Sequence, residues 1–307
     1  MLIEISFTRS FKTCFLLFAA LCFLGAAVAS STPARPALNS AMELRGGAFP
    51  APKPGYHALA AKGKAVSGQA PMPNLLSAAH AGAYVAMGGI LAITVASALG
   101  DVAPGVQKLV FGGLFPLALI LVIVTGSQLF TGNTASVAAA LYEGLIEPSD
   151  LIKNWVVTYA GNVIGSLAMC EMIKYSGLLT GTTAKMAAGI ATAKCKGAFG
   201  PTVMKAILAN WLVCIAAFMA GSETDLAGKL LGCWFPISAF VMCGFEHSIA
   251  NLFLLPLGMA AGADVSAMDA IMKNIVPVTI GNIIAGAVIV SASNSFIHGA
   301  LGGNDKD

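Results

Sequence analysis

Beyond residue 80, polar positions become so sparse that the chain divides into six apolar segments, at about 80–99, 106–143, 152–173, 201–220, 229–262 and 274–294. Most of them hold close to the ~20 residues that an α-helix needs to cross a bilayer. The second and fifth are too long for one span, and each is interrupted. Thr125-Gly126-Ser127-Gln128-Leu129-Phe130-Thr131-Gly132-Asn133 breaks one, and Cys243-Gly244-Phe245-Glu246-His247-Ser248 breaks the other. Both are predicted to be broken helices. The two-residue alternation of a membrane β-barrel is not visible.

The interruptions recur in register. Each broken segment is followed by a span that contains Gly-Asn: Gly161-Asn162-Val163-Ile164-Gly165 in the third and Gly281-Asn282-Ile283-Ile284-Ala285-Gly286 in the sixth. This predicts two three-helix halves, and an odd number of spans per half forces the halves into opposite orientations. Backbone that leaves a helix inside a bilayer persists where protein or a water-filled cavity satisfies it, so matched breaks predict a lined pathway near the midplane. The expected fold is an all-α membrane protein of six transmembrane helices in inverted three-helix repeats.

Composition agrees with a lipid environment: the chain is 57% hydrophobic and 10% charged, with a mean hydropathy of +0.81, against about 25% charged residues in soluble domains. Its 34 glycines and low aromatic share of 8% predict helices that approach closely through small side chains.

The N-terminus has a different character. A basic Arg9–Lys12 region, an apolar Cys14–Val28 stretch and an Ala27-Val28-Ala29 end mark residues 1–29 as a signal peptide. Residues 30–63 are rich in Ala, Pro, Gly and Ser, with Arg35, Arg45, Lys53 and Lys62 against the single acid Glu43, and are expected to be a disordered leader. The arrangement resembles the bipartite address of algae with secondary plastids, and Gly47-Ala48-Phe49-Pro50 is similar to the aromatic cleavage motif used there. A plastid envelope is therefore expected, with the plasma membrane as the alternative. The membrane domain is expected over 64–297, with a C-terminal tail over 298–307.

Catalytic and metal chemistry find no support. Cys170, Cys214, Cys233 and Cys243 sit in apolar runs and Cys195 in a polar stretch, and the sequence has no CxxC. His57, His80, His247 and His298 are scattered, so no metal set is expected. No nucleophile–base pair or phosphate-binding glycine loop is visible. No cofactor, no enzyme activity and no nucleic-acid partner are expected.

The polar residues inside the spans carry the candidate chemistry. His247 beside Glu246 in an apolar run is costly in hydrocarbon and is expected to face a cavity. Glu246 reads as a structural partner that accepts hydrogen bonds at the break. Lys205, near a span's start, reads as a side chain reaching for the interface. The loop expected over 174–200 holds Lys174, Lys185, Lys194 and Lys196 and no acid, a field that concentrates anions.

Lys108-Leu109-Val110-Phe111-Gly112-Gly113, Gly126-Ser127-Gln128-Leu129-Phe130-Thr131, Leu208-Ala209-Asn210, Gly244-Phe245-Glu246-His247-Ser248-Ile249-Ala250-Asn251 and Asn274 to Asn282 resemble successive signatures of the formate/nitrite transporters. The similarity covers about 64–297, in order and spacing. It implies an aquaporin-like protomer, a homopentamer in the lipid bilayer, and one pore per protomer for small monovalent anions and protons. By the same resemblance Phe115, Leu119, Leu129 and Phe240 form two apolar constrictions. Thr131 is the threonine of the broken second helix, His247 the central histidine, and Lys194 and Asn210 a pair beside it. Asn251, Asn162, Asn282 and Glu246 are expected at the breaks and repeats. Without the resemblance, the Phe and Leu residues read as core. Ala285 stands where the family has glycine. Nitrite or formate, passing with a proton, is the expected cargo, and bicarbonate within the same family is the alternative. Aquaporins are excluded because both Asn-Pro-Ala motifs are missing.

Overall fold

The computed structural model describes residues 52–304 apart from Asp101 and Thr224, and every regular element among them is helical. Helix α1 (Pro52–Ser67) precedes the first span, α2 (Pro71–Ser97). Helices α3 (Pro104–Leu114) and α4 (Leu117–Thr125) run end to end up to the first break, and α5 (Phe130–Tyr142) completes the second segment. Helix α6 (Pro148–Tyr175) closes this half. The second half repeats the order with α7 (Gly181–Lys194), α8 (Phe199–Ser222), α9 (Leu226–Met242), the second break, and α10 (Ser248–Ala260). It ends with α11 (Ala267–His298), which carries two π-helical stretches, Ala270–Ile275 and Ile284–Ala292.

The breaks have a local cause. Helix α4 runs into Gly126 and α9 into Gly244, and both glycines hold φ +70, the left-handed conformation that ends helices and that a Cβ disfavours. Proline opens α2, α3 and α6, at a position where its missing N–H leaves no bond unmade.

Glycines also set how the halves pack. A Cβ on Gly161 of α6 would stand 2.5 Å from the Leu75 carbonyl oxygen of α2, and one on Gly281 of α11 would stand 2.4 Å from the Val203 oxygen of α8. The same close approach is thus built twice. Ala285 is fully buried, and in that stretch it is Gly286 that makes the tight contact: a Cβ there would lie 2.0 Å from Thr134 Oγ1.

Two expectations are corrected. Residues 52–63 are helical rather than part of a disordered leader. Tyr56, Leu59, Ala60 and Gly63 form one buried stripe at helical spacing, and Tyr56 and Leu59 pack with Ala135 and Ala139 of α5. The membrane domain therefore starts before residue 64. The expected signal peptide and the expected leader up to residue 51 lie outside the described residues, as do 305–307. The lysine-rich 174–200 stretch is not simply a loop either, because α7 occupies its middle and buries Ala187 and Ala191. Ala191 fits against Gly258 of α10, where a Cβ would come within 2.3 Å of it. Short alanine-rich helices of this kind leave no long apolar run to be noticed.

Both ends of the described chain meet at Glu143, just beyond α5. Its carboxylate accepts hydrogen bonds from the hydroxyls of Tyr56 (2.7 Å) and Ser295 (2.6 Å) and from the Ala300 N–H (3.1 Å). Partial burial pushes the acid up, but these donors outweigh it and hold the carboxyl below its ordinary range.

Candidate functional site

At the first break, Asn162 Oδ1 accepts the Phe130 N–H that opens α5 (2.9 Å), while its Nδ2 donates to the carbonyls of Ala78 (2.7 Å) and Gln128 (3.0 Å). Asn282 does the same at the second break. Its Oδ1 accepts the Ser248 N–H that opens α10 (2.8 Å), and its Nδ2 donates to the carbonyls of Ala206 (2.8 Å) and Glu246 (3.2 Å). Each asparagine thereby satisfies backbone groups that the bilayer could not.

A further asparagine pair supports each break. Asn133 donates to Gln128 Oε1 (3.0 Å) and Asn154 Oδ1 (3.1 Å), and Asn154 donates to the Val66 carbonyl (3.2 Å). Correspondingly, Asn251 donates to Glu246 Oε2 (2.6 Å) and Asn274 Oδ1 (2.7 Å), and Asn274 donates to the Lys194 carbonyl (3.0 Å). The halves differ at Glu246: Lys194 Nζ reaches its Oε2 at 2.9 Å, and Asn274 donates to the same oxygen at 3.3 Å.

His247 caps α10 and is buried. Its Nδ1 accepts the Ala250 N–H (3.1 Å), so the ring proton sits on Nε2, which faces Thr131 Oγ1 at 2.9 Å. The hydrogen bond between these two residues joins the break of one half to that of the other. Phe240 stacks on the imidazole with centroids 5.8 Å apart, and Phe115 meets Phe240 edge-on at 6.3 Å. Leu119 and Leu129 belong to the same buried cluster.

The aromatic pair and His247 line the inner part of a cavity of about 620 Å³, which Lys194 and Asn251 also line, together with the exposed Lys108 and Lys185. Thr131, Asn210, Leu119 and Leu129 are not part of its lining. Lys194 and Asn210 do not form the expected pair. Asn210 donates to the Thr131 carbonyl (3.3 Å), Thr134 Oγ1 (3.0 Å) and the Asn282 carbonyl (2.7 Å), whereas Lys194 takes the carboxylate of Glu246, a stronger partner than an amide.

This arrangement of two opposed, broken-helix halves has close relatives. A family model described as the formate/nitrite transporter matches residues 55–296. The chain belongs to the formate/nitrite transporter family. Among curated proteins it is 37% identical over 230 residues to a probable formate transporter of Methanothermobacter thermautotrophicus, covering 69% of this chain and 83% of that protein. Among solved structures it resembles an FNT family ion channel (TM-score 0.74, 30% identity, 80% of this chain and 98% of the other). A pentameric formate channel with formate bound is similar as well (TM-score 0.67, 29% identity, 74% and 97%). The chain is an integral membrane protein of this family, as its sequence pattern predicts.

Within this formate/nitrite transporter fold, Asn154 supports the break in a way that sequence reasoning missed, and the place of Asn133 and Asn274 in the same network was also unread. A signal was present: an asparagine stands eight residues before the Gly-Asn asparagine in both spans, Asn154 before Asn162 and Asn274 before Asn282. Lys108 was likewise noticed as part of a motif and not as a cavity residue.

Proposed function

We propose that each protomer is a pore for small monovalent anions, formate and nitrite, which cross together with a proton, and that five protomers assemble as in the pentameric formate channel it resembles. The observation that carries this reading is the convergence of two half-helix N-termini on His247 and Thr131 behind the Phe115–Phe240 pair. Each helix start offers roughly half a positive charge, and the Nε2–H adds a donor. Lys108 and Lys185 gather anions at the mouth.

The apolar barrier then decides the form that crosses. A charged carboxylate or nitrite entering an apolar ring loses its hydration at high cost, while the neutral acid loses far less. The electropositive floor holds the anion until it acquires a proton from water or from the imidazole. Phe115, Leu119, Leu129 and Phe240 are the residues proposed for the dry constrictions, with Asn210 holding the Thr131 carbonyl in place.

Uptake into proteoliposomes tests the reading. Formate and nitrite should enter faster as the outside is made more acidic than the lumen. Uptake of bicarbonate with neither of the others would favour inorganic-carbon supply, and uptake of none would overturn the pore. The plastid address is part of the same proposal. A fluorescent fusion of residues 1–64 should reach the plastid envelope, and secretion or arrest at the plasma membrane would refute it.

A further inference from the structure

The cavity in front of the Phe115–Phe240 pair is far larger than its proposed passengers. Its volume of about 620 Å³ falls within the range of small-molecule sites, whereas formate and nitrite each contain three heavy atoms. Its size and lining are those of a site for an organic ligand, mostly apolar walls with a few convergent polar groups. Phe111 and Phe245 are half-buried on the wall, Met186 lies beside them in the lining, and Gln107, Lys108 and Lys185 supply the polar groups. Phe111 already stacks on Phe115, with centroids 6.2 Å apart and planes 22° from parallel. None of the ion pairs among the described residues involves Lys108 or Lys185, so both ammonium groups are available to a carboxylate. Lys194, in contrast, is already neutralised by Glu246.

We infer that this vestibule binds aromatic monocarboxylates, the carboxylate at Lys108 and Lys185 and the ring against Phe111 and Phe245, and that an occupant of this kind blocks the path to His247. The ring is too wide to follow formate past two edge-on aromatic side chains, so such an acid inhibits rather than crosses. The cations provide charge attraction, and the aromatic wall removes the ring from water. The blocking step rests on the pore reading above, but the binding step does not.

Benzoate is the probe. Its binding to the full-length protein in detergent micelles, measured by calorimetry, should be saturable and at least roughly tenfold tighter than that of benzyl alcohol, which lacks the charge, or of formate, which lacks the ring. In proteoliposomes benzoate should lower formate uptake at the concentrations that saturate binding. Lys108→Gln with Lys185→Gln should weaken benzoate binding by about tenfold or more. Phe111→Leu with Phe245→Leu should weaken benzoate binding while leaving formate binding as it was. Size-exclusion profiles matching the wild type show that the variants are folded. Absence of saturable benzoate binding, or binding unchanged in both folded double variants, would overturn the site. Benzoate binding by a protein that moves neither formate nor nitrite would keep the site and reject the pore.

Discussion

Lys194 Nζ stands 2.9 Å from Glu246 Oε2 at a place where the first half of the chain carries Val66 and Gln128. The Asn162 and Asn282 hydrogen bonds are the same at the two breaks, so a break can be held without the charge pair. Removing one member strands a largely buried ion, which costs about 3–5 kcal/mol. Lys194→Val alone and Glu246→Gln alone should each lower the thermal midpoint of the oligomer. The double variant copies the other half and should recover most of the loss. A double variant as unstable as the worse single variant would refute the equivalence.

Asn162→Leu and Asn282→Leu each leave one N–H and two carbonyls without their partner inside the membrane. At about 1–3 kcal/mol for each stranded group, both variants should lose most of the extractable oligomer, and by similar amounts. Oligomer recovered by size exclusion reads the effect. A large difference between the two would show that the breaks are not held alike.

His247→Asn keeps a polar side chain at the break and removes titration, whereas His247→Phe removes both and fills space beside Phe240. Because Asn282 keeps its hold on the Ser248 N–H and on the Ala206 and Glu246 carbonyls whatever stands at 247, both variants should still assemble. Uptake of weak-acid anions should change in rate or in pH dependence. Assembled variants with wild-type uptake from pH 5 to 8 would exclude a pore role for the ring.

Glu143 ties α1 and the C-terminal segment together as a carboxylate whose folded-state affinity for protons is below the ordinary one. A depressed acid stabilises the folded state above the unfolded pKa, and that contribution disappears as pH falls through the still lower folded value. The C-terminal segment should therefore stay fixed at neutral pH and loosen below the ordinary glutamate range, about pH 4. Glu143→Gln should loosen it at neutral pH. Distance measurements between spin labels on α1 and near residue 301 would register the release, and a variant with the wild-type distance would deny the carboxylate this role.

The spans, both breaks and the inverted halves were legible because each leaves a long-range mark: apolar runs near bilayer length, polar residues inside two of them, and Gly-Asn at matching places. His247, Thr131, Phe115 and Phe240 were readable through the family motifs, and the structure brings them together. What escaped was short or relational. Helices α1 and α7 lack a long apolar run, and their burial depends on glycine and alanine contacts with partners far along the chain. The partner of Lys194 was misread because a motif orders residues without fixing which side chain a long, flexible amine will meet, and Glu246 offered it a charge.

The opposed orientation of the two halves has a consequence for flux. A frame built of two opposed, similar halves has no intrinsic direction of its own. Asymmetry enters where the halves disagree, as at His247 against Leu129, Thr131 against Ile249, the Lys194–Glu246 pair against Val66 and Gln128, and Lys108 and Lys185 on the cavity. Side chains such as these, rather than the helices that carry them, are where any difference between the two directions of flow is built in.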